Sequence, residues 1–273
     1  MEIRHFIAYG VFFIVVAFES VYAFRRSMEL YQGRDIANNL VLGLFTTLFM
    51  IIAKGVFLAF FTLCNRIAPF DIGITWWSWI LLFLLNDLIF YWFHRISHEV
   101  RILWAFHVAH HSSLHYNFST AVRNNFLIQT FRYVAWAPAA LIGFDPVAII
   151  LMDSIAYFYQ LFVHTQLIGN LGFLEWFLNT PSHHRVHHGS NAPYIDKNYG
   201  AILIIWDRIF GTFRREGEKV RFGITKNIDP QNLPNIMFHE FIAIGKDVGR
   251  SRSFLDALRY VFGHPGWSPE VAA

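Results

Sequence analysis

Long apolar stretches alternate with polar, histidine-rich ones along this chain. Apolar residues dominate 6–24, 39–63 and 73–93, each close to the ~20 residues a helix needs to cross a bilayer. A fourth apolar stretch, 126–163, is broken at Gly143-Phe144-Asp145-Pro146. It is long enough for two helices, and Asp-Pro favours a turn, so a hairpin is expected there. Most of the charge and nearly all of the histidine fall between and after these stretches, at 94–125 and 164–267. The pattern predicts an all-α integral membrane protein, one domain over 1–273. It has four or five membrane helices, one pair a hairpin, and a histidine-rich helical cap.

Composition agrees with that reading. The chain is 55% hydrophobic and only 15% charged, with a mean hydropathy of +0.37; soluble domains carry about 25% charged residues. A net charge of +3 without any basic block gives no footprint for a nucleic-acid partner. Cys64 is the single cysteine, so an internal disulfide framework is excluded. Arg25, Arg26 and Arg34 crowd the first short loop, whereas the next carries only Arg66. The bias places the first loop in the cytoplasm. The third span then ends on that side, the hairpin returns to it, and both histidine-rich segments form one cytosolic cap. Trp76, Trp77, Trp79, Trp92, Trp104 and Trp136 suit either an interfacial belt or core packing.

The histidines recur at helical spacing. His94 and His98 are i,i+4; His107, His110 and His111 are i, i+3, i+4; His184, His187 and His188 repeat that spacing, and His164 closes the fourth apolar stretch. Residues three and four apart share a helix face. One such histidine is ordinary; two HxxHH triplets and an HxxxH pair at one membrane depth point to metal. Eight or more imidazoles exceed the four ligands of a structural zinc and suit two ions, although imidazole alone does not choose among Zn, Cu, Fe and Ni. Aligning HVAHHSS with HRVHHGS puts His183 in register with Phe106, so His184, His187 and His188 are the expected triplet and His183 an additional candidate. His5, His115, His239 and His264 fall outside the pattern and are expected not to bind metal.

The strings YWFHRISHE, LWAFH, HHSS, YNFSTAVR, LGFLEW, NTPSHHRVHHG, YIDKNYG and IIWDRIFGTF, spread over roughly 75–267, resemble the fatty acid hydroxylase and sterol desaturase superfamily of membrane non-haem diiron oxygenases. The likeness is nearest to its alkylglycerol monooxygenase branch. The resemblance implies two iron ions held by His94, His98, His107, His110, His111, His164, His183, His184, His187 and His188. It also implies O2 as co-substrate and insertion of oxygen into a lipid C–H bond, in that branch next to an ether oxygen, with a reduced pterin as electron donor. The superfamily often has a further histidine four residues before His164; here Gln160 stands there. Sterol or fatty-acid desaturation and carotenoid hydroxylation use the same scaffold, and a histidine-rich metal transporter or sensor is the reading from another class. No dinucleotide, P-loop or haem-attachment motif occurs, so electrons must come from an external donor or reductase.

Four further residues are candidates for the chemistry. Asp87 lies seven residues before His94, on the same helix face and inside a predicted span, where an acid needs a partner. It is expected to accept the second ring N–H of a ligating histidine, the alternative being an ion pair with Arg95 or Lys54. Glu99 is read as supporting or bridging the metals, or as a solvated helix end. Asn117 and Glu175 lie in strings shared with the family, where a cap or hydrogen bond is the plainer role.

Overall fold

The computed structural model describes residues 2–269, apart from the side chains of 2–9, 12 and 13. Its order is α1 (Glu2–Arg25), α2 (Gly33–Arg66), α3 (Trp76–Glu99), α4 (Arg101–His111), α5 (Ile128–Ala135), α6 (Ala137–Ile142) and α7 (Pro146–Val163). After these come α8 (Pro181–His187), α9 (Ile205–Ile209), α10 (Leu233–Gly249) and α11 (Phe254–Phe262). Among the described residues the only β-structure is two isolated bridges.

Three helices, α2, α3 and α7, are long and apolar enough to cross a membrane. The expected span at 6–24 falls in α1, part of whose side chains lie outside the described set. The expected hairpin over 126–163 takes a different form. Its second arm is α7, but its first is two short helices of 8 and 6 residues, each too short to span. The break follows from Pro138, which has no N–H to extend the ladder of α5 and sits in the first turn of α6. Gly143 then ends α6 at φ 118°, and a Cβ there would lie 2.0 Å from the Phe70 carbonyl oxygen, so only glycine fits. Asp145 caps α7 by accepting from the Ala148 N–H at 2.8 Å, with Pro146 opening the helix.

Helix α3 shows how the two surfaces are divided. Thr75 and Ser78 form a capping box at its start. Trp76, Trp77, Ile80, Leu81, Leu84, Trp92 and Ile96 are exposed, while Asn86, Asp87, Tyr91, His94, Ser97 and His98 are buried. An outward apolar stripe with an inward polar one reverses the pattern of a water-soluble helix and suits a helix surrounded by lipid. Trp136, by contrast, is buried and donates its indole N–H to Asn86 Oδ1 at 2.6 Å. The apolar core lies between α2, α3, α6 and α7, around Phe61, Leu82, Trp136, Ala140 and Ile149.

Buried polar clusters fasten the first two helices to the histidine-bearing segments. Glu19 of α1 accepts from the Phe118 N–H at 2.8 Å and from the Tyr31 and Thr165 hydroxyls. Arg123 is fully buried and donates to Asp35 and Asn39 of α2 at 3.1 and 2.9 Å and to the Ala109 carbonyl at 2.9 Å. A buried guanidinium persists only when its donors are satisfied, and here they tie α2 to the end of α4.

A candidate dimetal centre of nine histidines

Nine of the ten candidate histidines converge, in two groups. His94, His98, His107, His111 and His187 form one; His110, His164, His184 and His188 form the other, and in each the potential ligand atoms lie within 4.8 Å of one another. Metal–imidazole bonds of about 2 Å put opposite ligands about 4 Å apart, so each group is compact enough to hold one ion. The groups adjoin: the His111 and His188 rings, one from each, stack with centroids 4.3 Å apart.

Each HxxHH triplet is divided between the groups. On α4, His107 and His111 serve the first and His110 the second; on α8 and its cap, His184 and His188 serve the second and His187 the first. Helix geometry permits this once the two helices face each other. At about 100° per residue, positions i and i+4 lie about 40° apart, while i+3 and i+4 diverge by about 100°. The i,i+4 pair therefore reaches one point and the i+3 ring swings to its neighbour.

Backbone carbonyls set the ring orientations. His94 Nδ1 lies 2.9 Å from the Tyr199 carbonyl oxygen, His110 Nδ1 3.1 Å from that of Arg123, His164 Nδ1 2.7 Å from that of Gln160, and His187 Nδ1 3.0 Å from that of Lys197. A carbonyl can only accept, so each Nδ1 carries the proton and each Nε2 presents a lone pair. His164 Nε2 then faces His110 Nε2 at 3.2 Å and His184 Nε2 at 3.0 Å. The first of these contacts sets lone pair against lone pair, repulsive without a cation. Nε2 of His98, His187 and His188 is buried with no hydrogen-bond partner. Unpaired buried nitrogens on this scale are costly, and a metal ion held by each group would satisfy them. Burial also pushes the rings of His107, His110, His111, His184, His187 and His188 well below the usual histidine range, and that of His164 down to about 4. They are neutral ligands near pH 7.

The turn 196–199 serves the first group as a unit. Asp196 and Asn198 adopt left-handed φ of 58° and 57°, which Asp and Asn tolerate. The turn brings Asp196 Oδ1 to 3.7 Å from His98 Nδ1 and aims the Lys197 and Tyr199 carbonyls at His187 and His94. Asn198 donates to the His183 carbonyl at 3.0 Å, fixing the turn to α8. None of these carbonyls has a side-chain signature; the string YIDKNYG was the only sequence signal.

Asp87 differs from expectation. Its carboxylate accepts from the Ile202 and Leu203 backbone N–H groups at 2.8 and 3.1 Å and from the Trp206 indole at 2.9 Å, not from a histidine, Arg95 or Lys54. Four of the nine histidines, His94 among them, already have carbonyl acceptors for the second ring N–H. Asp87 instead holds the loop that begins at Tyr199, and Asp207 holds the same loop through the Tyr199 and Gly200 N–H groups at 2.7 and 2.8 Å. Gln160 joins them, its side-chain amide donating to the Ala201 carbonyl.

The other candidates lie outside both groups. Glu99 pairs with Arg95 at 2.8 Å and is half-buried. Asn117 caps the 3-10 turn Phe118–Val122, accepting from the Ser119 N–H at 3.0 Å and donating to the Leu30 carbonyl. Glu175 accepts from Ser182, Thr180 and the Leu171 N–H at 2.6, 3.2 and 3.1 Å. His183 belongs to neither group, its Nε2 3.7 Å from Glu175 Oε2, and lines a separate polar cavity with Arg208 and Phe213. His115, His239 and His264 are in neither group; the side chain of His5 lies outside the described residues.

A helical membrane scaffold that converges nine imidazoles on two adjoining points defines a class of histidine-ligated dimetal proteins. Sequence comparison points the same way: residues 79–212 match fatty acid hydroxylase. It is 39% identical over 263 residues to an alkylglycerol monooxygenase of Xenopus tropicalis, covering 94% of this chain and 58% of that protein. It is 45% identical over 194 residues to the human alkylglycerol monooxygenase, covering 71% of this chain and 43% of that protein. An ornithine lipid hydroxylase of Rhizobium tropici is 32% identical over 124 residues, 45% of this chain and 38% of that protein. The chain thus spans roughly half the length of these relatives. No solved structure matches it.

Proposed function

We propose that this chain is a multi-pass membrane diiron oxygenase that hydroxylates a lipid C–H bond, with an alkylglycerol ether as the favoured substrate. The observation that carries the reading is the pair of adjoining all-imidazole groups formed by two interlocked triplets. Iron bound there supplies O2 activation, which no amino-acid side chain provides. The chain's own residues do the rest. Backbone carbonyls fix four of the ring tautomers, Asp87 and Asp207 hold the loop that carries one of these carbonyls, and burial keeps the rings on α4 and α8 unprotonated. The overall reaction takes O2, two electrons and two protons, leaves one oxygen on the substrate carbon and releases the other as water. Hydroxylation beside an ether oxygen yields a hemiacetal, which collapses to an aldehyde and a glycerol. The electrons come from outside the chain; family resemblance favours a reduced pterin.

The substrate tail has a matching surface. An apolar groove of about 420 Å³ is lined by Leu88, Ile89, Trp92, Phe93 and Ile96 of α3, Leu103 of α4, and Phe131 and Ala135 of α5. Pockets of a few hundred Å³ lined by apolar side chains suit such ligands, and Leu103 precedes His107 by one helical turn. Arg25, Arg26 and Arg34, at and beside the loop between α1 and α2, support a cytoplasmic position for the histidine-bearing ends. The test is iron analysis combined with O2-dependent turnover of an alkylglycerol, a free fatty acid and a sterol. Two irons per chain with aldehyde release from the alkylglycerol is the expected result; full iron loading without oxidation of any of the three would overturn it.

A further inference from the structure

Helix α11 buries none of its residues. Phe254, Leu258 and Phe262 are spaced four apart, and with Leu255 they form one exposed apolar face, Phe254 being 79% and Phe262 60% exposed. Phe238 and Ile242, also four apart, extend the exposed apolar surface onto α10, against which α11 packs. An apolar face of this extent facing water marks a contact surface.

Its position identifies the partner. The Gly263 carbonyl at the end of α11 accepts from the Arg101 N–H at 2.9 Å, and the Tyr260 carbonyl from the Arg101 guanidinium at 3.4 Å. Arg101 also grips Glu240 and Asp247 of α10, at 2.7 and 2.8 Å. That residue lies two positions beyond the end of α3, whose exposed apolar stripe continues down to Ile96. The helix is therefore clamped where α3 emerges from lipid. The charge around it is one-sided: Lys246, Arg250, Arg252 and Arg259 are exposed. Of the nearby acids, Glu240 and Asp247 are taken by Arg101, and Asp256 bonds Ser253 of its own cap. Tyr260 and Trp267 meet edge to face at 5.1 Å beneath Arg259, the aromatic–basic pairing favoured at membrane interfaces.

We infer that α11, with the Phe238–Ile242 edge of α10, lies in the plane of the membrane interface, its apolar face in the acyl boundary of a leaflet carrying anionic phospholipid. Amphipathic helices bind there through buried apolar area plus attraction between basic residues and anionic headgroups. The inference rests on the membrane reading of α3 and not on the reaction assigned to the metals.

The test uses the full chain in a Cys64→Ser background, with single cysteines at Phe254, Phe262, Leu84 or Lys219 carrying a polarity-sensitive fluorophore. The labelled proteins are reconstituted into phosphatidylcholine vesicles with or without phosphatidylserine. Labels at 254 and 262 are expected to be quenched by shallow nitroxide lipids and several-fold less by aqueous iodide than the label at 219. Phosphatidylserine should strengthen this shielding, and Arg250→Glu with Arg252→Glu should remove its effect. Iodide quenching at 254 and 262 equal to that at 219 overturns the proposal. So does shielding from both quenchers, which means a protein cover, a second copy if dilution in lipid relieves it. A phosphatidylserine effect of zero overturns the anionic preference. The label at 84 separates the two readings: if lipid quenching is present at 84 and absent at 254, α11 alone is misassigned; if absent at both, the membrane reading of α3 falls as well.

Discussion

His183 and His184 are sequence neighbours with different surroundings. His184 Nε2 meets His164 Nε2 at 3.0 Å inside the second group, whereas His183 faces Glu175. His184→Ala is expected to lower bound iron from two per chain toward one and abolish turnover, while His183→Gln keeps both ions; metal analysis of the purified variants checks this. Asp87→Asn is a sharper test of a residue that acts through the backbone. Two backbone N–H groups and an indole N–H converge on the carboxylate, and an amide NH2 would oppose at least one of them. A loss of about 1–3 kcal/mol is expected, read as a lowered melting temperature in detergent. The metal optical spectrum should shift as well, because the Tyr199 carbonyl that orients His94 moves with the loop. An unshifted spectrum on a destabilised protein would confine Asp87 to the fold.

At the scale of elements, the spacing of histidines was legible because helical periodicity is a property of the sequence. HxxHH placed on a helix predicts convergence, and the register of HVAHH against HRVHH singled out the triplet that the fold brings together. Two things were not legible. The split of each triplet between two groups depends on how α4 and α8 face each other, which is tertiary. The carbonyls of Arg123, Gln160, Lys197 and Tyr199 orient four rings without any side-chain mark, so from the sequence a carboxylate such as Asp87 is the visible candidate acceptor for a ligating histidine. The hairpin over 126–163 was legible in its turn but not in its first arm, where Pro138 divides the helix. The turn itself can be tested: Gly143→Ala forces a Cβ against the Phe70 carbonyl and holds alanine at φ 118°. A cost of at least about 1–3 kcal/mol is expected, seen as a fall in melting temperature with little change in iron content.

For the whole molecule, burial of so many neutral imidazoles sets a pH dependence. The ring pKa of His164 falls to about 4, and those of its neighbours on α4 and α8 fall well below the ordinary value near 6.5. Below that ordinary value the unfolded chain binds protons that the folded apo chain refuses, so stability rises with pH there. The metal-free protein should be most stable above about pH 6.5 and lose stability as the pH falls toward about 4, measured by thermal unfolding across that range. Iron should raise stability without removing this dependence, since a coordinated nitrogen takes no proton while the unfolded histidines still do, and the fall should continue below about pH 4.

The interlocked triplets have a consequence for how the chain holds together. Ligands come from α3, α4, the end of α7 and α8, with a long apolar stretch between α4 and the end of α7 and a loop between that end and α8. Each metal ion is thus a cross-link that closes large loops, and loop closure in the unfolded ensemble carries an entropy cost that grows with length. Because α4 and α8 each contribute to both ions, the two cross-links share their anchor points, and filling one site positions rings for the other. Metal uptake by the apo chain should therefore be cooperative, with few singly loaded molecules at half saturation.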